Sequence, residues 1–240
     1  KKVLILLKKT LDYMESNLEL ANDLKEIIAY KEDNLLVSVQ DIFNGVEQYV
    51  PKSRDFWKDH LLFYRKLYLK YCNPAKVYAS TSFSRCYITI DDKSKCQSWF
   101  EEIKHIWKDK DVIIVEGTTT HNGVGNDLFD LTRSVCRIIA PPKNAYDRLD
   151  EIYDECLKQD TAKDKLFLVT LGPAAKKLVY KLYKSGHRAI DIGQLDMEYE
   201  MYLMKATKKV PIFKHRIVGD KANREAGYDK YLGEIIRTIK

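Results

Sequence analysis

From residue 77 onward the chain alternates short apolar runs with amphipathic stretches, and this pattern constrains its fold more than any other feature. Val77–Phe83, Asp111–Val115, Val135–Ile139, Leu166–Leu171 and Ala189–Ile192 each read as a strand. Between them, Cys96–Trp107, Tyr146–Leu157 and Pro173–Lys184 carry helical periodicity. Strands that are apolar along their whole length are buried on both faces, which places them in a mostly parallel sheet with helices on both sides. The expected class is therefore α/β and Rossmann-like.

The region before this core reads differently. The opening Lys1–Leu7 is a strand or helix start, because its apolar run is too short for a signal peptide. Helical periodicity runs from Leu11 through Leu18, Leu24, Ile27 and Ile28, and Leu35–Val39 reads as a buried strand. Ser53 is placed to cap an aromatic-rich helix carrying Phe56, Trp57, Leu61, Leu62, Tyr64, Leu67 and Tyr68, whose stripe suits core packing. With no internal repeat and no long Pro/Gly/Ser linker, residues 1–240 read as one domain. Its parts are a helical segment over 1–75, an α/β core over 76–213 and a helical tail over 214–240.

Charge and cysteine content narrow the function. The 41 Lys and Arg exceed 35 Asp and Glu, a net +6 that suits anionic ligands. Zinc-finger spacing and aromatic single-strand motifs are missing, so nucleic acid is not expected as a partner. Five cysteines without a Cys-x-x-Cys pair are expected to be free thiols in a reducing cytoplasm. No apolar stretch approaches the roughly 20 residues that span a bilayer, which leaves at most peripheral membrane association.

In open sheets of this kind ligands bind beyond the carboxyl ends of the strands. One such end leads into Leu195-Asp196-Met197-Glu198. In an extended or loop segment these two carboxylates point the same way and can share Mg²⁺ or Mn²⁺, whereas on a helix they would diverge. A second end opens the segment Glu116–Asp127, where Gly123 and Gly125 allow tight turns near a phosphate and Asn126 or Asp127 is placed to cap a following helix. A third is Thr170-Leu171-Gly172-Pro173, where a helix N-terminus could face an anion. No nucleophile elbow or Cys-His neighbourhood is present, against a serine or cysteine hydrolase.

Taken together, these residues resemble the GT-D glycosyltransferases, formerly domain of unknown function 1792. The resemblance rests on Val112–Gly117, Gly123–Phe129, Arg137–Ile139 with Pro142–Ala145, Leu171–Ala175 and Ala189–Glu200, in family order across residues 77–213. It implies a Rossmann-like GT-D fold that binds a UDP-sugar, typically UDP-glucose, with Mn²⁺ (or Mg²⁺) held at a D-x-E motif falling on Asp196 and Glu198. Gly123, Gly125, Asn126, Asp127 and Asn144 then take the place of nucleotide contacts, and Arg85 that of a diphosphate contact. Two departures stand out. The family's N-terminal Gly-Asp-Gly-Glu segment is not in this sequence, and Thr120-His121 stands where Ser-Arg is usual. A diphosphate contact from His121 would weaken between about pH 6 and 8 as the ring loses its proton.

The expected activity is metal-dependent transfer of a sugar, glucose first, from a UDP-sugar to a glycan or glycoprotein acceptor in bacterial glycan biosynthesis. A homo-oligomer is compatible with the sequence. Glu116, Asp191 and Glu200 are the candidate bases for the acceptor hydroxyl if the reaction inverts. The rival expectations are a metal-dependent nucleotide-sugar hydrolase and a catalytically silent nucleotide-binding protein.

Overall fold

A computed structural model describes residues 17–32, 34–216 and 226–240; the readings made for Lys1–Leu7 and Leu11 lie outside these residues. In chain order the elements are α1 (Leu18–Ile28), β1 (Ser38–Val39), α2 (Pro51–Tyr71), β2 (Ala79–Ser80) and α3 (Cys96–Ile106). There follow β3 (Asp111–Gly117), β4 (Ser134–Ala140), α4 (Leu149–Gln159), β5 (Leu166–Thr170) and α5 (Pro173–Lys184). The chain continues with β6 (Arg188–Asp191), α6 (Leu195–Leu203), α7 (Tyr228–Glu234) and β7 (Ile235–Thr238). These residues group into two compact units. The first takes Lys104–Gly193, Ile212–Lys240 and the segment up to Asp23; the second takes Leu24–Ile103 and Gln194–Pro211.

The first unit is built on a five-stranded, all-parallel sheet in the order β6-β5-β3-β4-β7. One face carries Ile113, Val115, Ile138, Phe167 and Val169 against Leu149, Ile152 and Cys156 of α4 and Ala175, Leu178 and Leu182 of α5. The alternate strand residues Val112, Ile114, Leu166 and Leu168 are equally buried, and Ile139 packs with Val124 and Tyr231 of α7. This two-sided burial is why the strands read as unbroken apolar runs. Trp107 has no exposed surface and anchors the turn-rich β3–β4 connection, its indole N–H donating to the Leu128 carbonyl at 2.9 Å.

In the second unit β1 and β2 pair in parallel, and Ile42, Val46, Tyr49 and Ile90 form a small core flanked by Trp57 and Leu61. Phe100 packs edge-on to Tyr199 and tilted against Tyr202, with 4.9 Å between ring centroids in both cases.

Four expectations change. Of Leu35–Val39 only Ser38–Val39 pairs, and Leu36 is 73% exposed. Of Val77–Phe83 only Ala79–Ser80 pairs, because the Ser80 hydroxyl accepts the Ser82 N–H at 2.9 Å and starts a 3₁₀ turn over Thr81–Ser84. The aromatic helix starts at Pro51 with Val50 as N-cap, so Ser53 lies inside its first turn. No residue of that helix is buried, and its apolar stripe is half-buried at most. Among its described residues the segment after 213 is helical over Tyr228–Glu234 but not to its end. It ends in β7, where Ile235, Ile236 and Thr238 suit a strand and extend the sheet beside β4.

Gly123 provides a stability test of the glycine-rich connection. Its φ is +75°, and a Cβ there would lie 2.4 Å from the Phe129 ring. Gly123→Ala is expected to lose about 1–2 kcal/mol to the left-handed backbone and about 1–3 kcal/mol more to overpacking. Chemical denaturation measures this, and an unchanged midpoint would contradict the packing described.

Candidate functional site

The chain leaves β3 toward β4 and leaves β5 toward β6, on opposite sides, so the carboxyl ends of β3 and β5 form a topological switch point. Glu116 and Thr170 lie there directly in register. Asn122, on the loop after β3, joins them: its Nδ2 donates to Glu116 Oε2 and to Thr170 Oγ1, both at 2.8 Å. The Asn122 backbone N–H donates to the same Glu116 oxygen at 2.8 Å. Glu116 Oε1 accepts Arg137 Nη1 at 2.6 Å, and Arg137 Nε reaches Glu234 Oε2 at 2.7 Å. The guanidinium also lies 4.9 Å from the centroid of the Tyr231 ring. Burial disfavours its charge, but the Glu116 and Glu234 carboxylates outweigh that and raise its pKa.

This arrangement corrects the role expected of Glu116. With no exposed surface and its oxygens bonded to Arg137 and Asn122, it anchors the loop instead of waiting as a base. Asn122, Thr170, Arg137 and Glu234 had no assigned roles in the sequence reading. The available signal was Arg137, a charge inside the apolar run Val135–Ile139, which requires a buried partner.

His121 is also corrected. It is 4% exposed, its Nδ1 lies 2.6 Å from the Lys214 carbonyl, and its ring meets the Tyr231 ring at 4.9 Å. The left-handed backbone at φ 48° belongs to this inward-turned residue. His121→Arg is therefore expected to lower the melting temperature by several degrees, because a longer charged side chain must enter an enclosed pocket. A calorimetric scan showing an unchanged or higher transition would refute the enclosure.

Around the switch point, Gly172 is exposed at the N-cap of α5 with φ 56° and ψ −136°, a conformation essentially confined to glycine. Asn144, left-handed and half-buried, follows β4 and heads a 3₁₀ turn over Ala145–Arg148. No helix follows Asn126 and Asp127. Asn126 Oδ1 accepts the Leu128 N–H at 3.0 Å within a turn, and Asp127 pairs with Lys104 at 2.5 Å. The exposed Gly125 lies against the 226–227 backbone, where a Cβ would meet the Ala226 carbonyl at 3.2 Å. Asp191, at the end of β6, is half-buried between Lys176 Nζ at 2.7 Å and the Gly193 N–H at 3.0 Å.

In the second unit Asp196 and Glu198 occupy the first turn of α6, not an extended segment. Two residues apart on a helix, their side chains leave the axis about 200° apart, unlike the same-facing pair expected of an extended segment. Asp196 is fully buried, and Glu198 is 3% exposed. Glu198 Oε2 accepts the backbone N–H groups of Tyr87 at 3.0 Å and Ile88 at 2.8 Å, which leaves Oε1 as the oxygen able to meet a ligand. Burial raises the Glu198 carboxyl above its ordinary value, opposed by the two amides and by the charges of Arg85 and Lys93. The structure thus brings exposed Arg85 into electrostatic range of Glu198, and Glu200 sits half-buried on the same helix.

Among the described residues no group of three His, Cys, Asp or Glu side chains is gathered to enclose a metal. The residues fit a divalent cation held by one protein carboxylate, Glu198, with substrate phosphates and waters completing the shell.

A five-stranded parallel sheet with a topological switch point places this chain in the doubly wound class of α/β folds. Within that class, the chain belongs to the family described as glycosyltransferase GT-D fold, whose model matches residues 2–221. It is 43% identical over 201 residues to "Probable glycosyl transferase Gly" of Streptococcus gordonii, covering 83% of this chain and 29% of that protein. It is 38% identical over 208 residues to "Glycosyltransferase GlyD" of Streptococcus pneumoniae serotype 4, covering 86% of this chain and 25% of that protein. The chain thus spans less than a third of the length of either relative. A solved structure described as a new glycosyltransferase from Streptococcus sanguinis superposes with TM-score 0.86 at 38% identity, covering 95% of this chain and 86% of that one. Another, described as a domain of unknown function 1792 with a distinct glycosyltransferase fold, superposes with TM-score 0.85 at 40% identity, covering 95% and 83%.

Proposed function

We propose that this chain transfers a sugar, glucose first, from a UDP-sugar to a glycan or glycoprotein acceptor. The observation that carries the reading is the bracing of two loops at the switch point by Asn122, through Glu116 and Thr170. It fixes the loop after β3 beside the exposed N-terminus of α5, where Gly172 and the helix dipole suit the donor's diphosphate. Asn144, at the end of β4, is assigned to the nucleotide. In the second unit Arg85 is assigned to diphosphate charge, and Glu198 is the residue that would hold Mn²⁺ or Mg²⁺. Such a cation supplies charge neutralisation to the departing diphosphate.

Asp191 is assigned as the base that takes the acceptor hydroxyl proton in an inverting transfer, since Lys176 and the Gly193 N–H fix its orientation. Glu200 is the alternative. No helix among the described residues is long and apolar enough to cross a membrane.

Titration calorimetry with UDP and UDP-glucose, with and without Mn²⁺, tests the donor assignment. Binding strengthened by Mn²⁺ is expected, and no uridine diphosphate binding in either condition would overturn it. Product analysis tests the reaction. Release of free sugar that no acceptor diverts would identify a hydrolase, and tight UDP binding with no turnover of any donor would identify a silent binding protein.

A further inference from the structure

The helix α2 leaves an unusual face open. Phe56 is 59% exposed, Leu62 81%, Phe63 80% and Leu69 71%, and no residue of its 21 is buried. At 100° per residue, Lys52, Asp55, Asp59, Leu62, Phe63, Lys66 and Lys70 fall within one sector of about 100°, flanked by Leu69 on one side and Phe56 on the other. Opposite this sector, Trp57 and Leu61 pack on the core of the second unit. The exposed sector combines large apolar side chains with Asp55 and Asp59 in its N-terminal half, after Lys52 in the first turn, and Lys66 and Lys70 in its C-terminal half.

That order of charges is self-complementary. We infer that α2 is the contact by which this chain pairs with a second copy of itself, two helices lying antiparallel about a two-fold axis between Leu62 and Phe63. A two-fold there sets each residue opposite the one whose number makes a sum of 125. Asp59 then faces Lys66 of the second copy and Asp55 faces Lys70, each pair occurring twice. Leu62 and Phe63 of both copies gather around the axis, with Phe56 along one edge of the contact and Leu69 along the other. Sliding either helix by one turn keeps only one of the two kinds of ion pair, and parallel pairing sets like charges together. The register is therefore specified by charge, as in paired helices elsewhere.

The same positions argue against a membrane surface as the occupant. Asp55 and Asp59 lie within the exposed apolar sector, and immersing that sector in lipid would strip water from both carboxylates. Pairing with a second copy gives each acid a lysine. A single helix pair buries an area at the low end for specific interfaces, so the dimer should dissociate in the micromolar range.

Sedimentation velocity on the full chain, from low micromolar to a few hundred micromolar, tests this. A monomer–dimer equilibrium is expected. The doubly substituted L62E/F63E chain should be monomeric throughout while its melting temperature stays at the wild-type value, because both side chains are exposed. Asp59→Lys alone and Lys66→Asp alone should each weaken the dimer roughly tenfold or more, since each reverses two pairs. The double variant D59K/K66D should recover most of the loss, a coupling that general destabilisation would not produce. A wild-type chain that stays monomeric overturns the inference, as does a dimer that L62E/F63E leaves intact. A monomer that co-sediments with phosphatidylglycerol vesicles also overturns it, in favour of a lipid surface.

Discussion

Arg137→Met is expected to lower unfolding stability by about 3–5 kcal/mol, enough to reduce the melting temperature by roughly 10 °C in a chain of this size. Arg137 is 3% exposed and holds the fully buried Glu116 at 2.6 Å and Glu234 at 2.7 Å. Removing the guanidinium leaves two carboxylates facing each other without a cation in a poorly solvated site. Glu116→Gln should cost less, because Arg137 keeps Glu234 as its counter-ion and the amide oxygen still accepts the Asn122 N–H groups, the loss being the Arg137 Nη1 acceptor. In the double variant R137M/E116Q the loss should fall below the sum of the single losses, the mark of a shared network. Calorimetric melting of the three variants decides it. Additive losses would show that the pair is not coupled, and a small loss in Arg137→Met would show that water reaches the site.

Glu198→Gln is expected to move stability and activity in opposite directions. Burial holds this carboxyl above its ordinary value, against the two amides and the Arg85 and Lys93 charges. A raised carboxyl favours the protonated form in the folded chain. Its stabilising share is complete below the ordinary value of about 4.3 and is lost as pH rises through the folded value. Glutamine accepts the Tyr87 and Ile88 N–H groups without ionising. The variant should therefore match wild type near pH 4 and melt above it at neutral pH, in the absence of ligand. If Glu198 holds the cation of the proposed transfer, the same change should reduce turnover on the order of 10²-fold. Melting curves across pH test the first half and a transfer assay the second. A variant that melts at or below wild type at neutral pH contradicts the burial argument; full turnover contradicts the cation assignment.

Much of the first unit could be read from sequence because its signals are local. The apolar runs at Asp111–Val115, Val135–Ile139, Leu166–Leu171 and Ala189–Ile192 fall on β3 to β6, and Pro173–Lys184 coincides with α5. Each depends only on period and on where Gly and Pro interrupt it. The glycine-rich connection and the Gly172-Pro173 junction were likewise visible, since positive φ and a helix start need particular residue types. The second unit was less legible. Its strands shrink to two residues each, and the aromatic stripe of α2 resembles a core face although half of it is open.

The parallel α/β class, the GT-D family and the polar residues at strand carboxyl ends were all legible along the chain, because each is carried by local pattern or motif. Which of those groups turn inward depends on contacts between distant parts of the chain. Glu116 and His121 turn inward because Arg137, Asn122 and the Lys214 carbonyl, contributed from elsewhere in the chain, are there to receive them. Asp196 and Glu198 diverge because the first turn of a helix forms where an extended segment was expected, and β7 joins the sheet because an edge of β4 is open to it. Period and composition record a residue's neighbours along the chain. Burial and hydrogen bonding depend on partners brought together by folding, and short-range pattern carries little of that information.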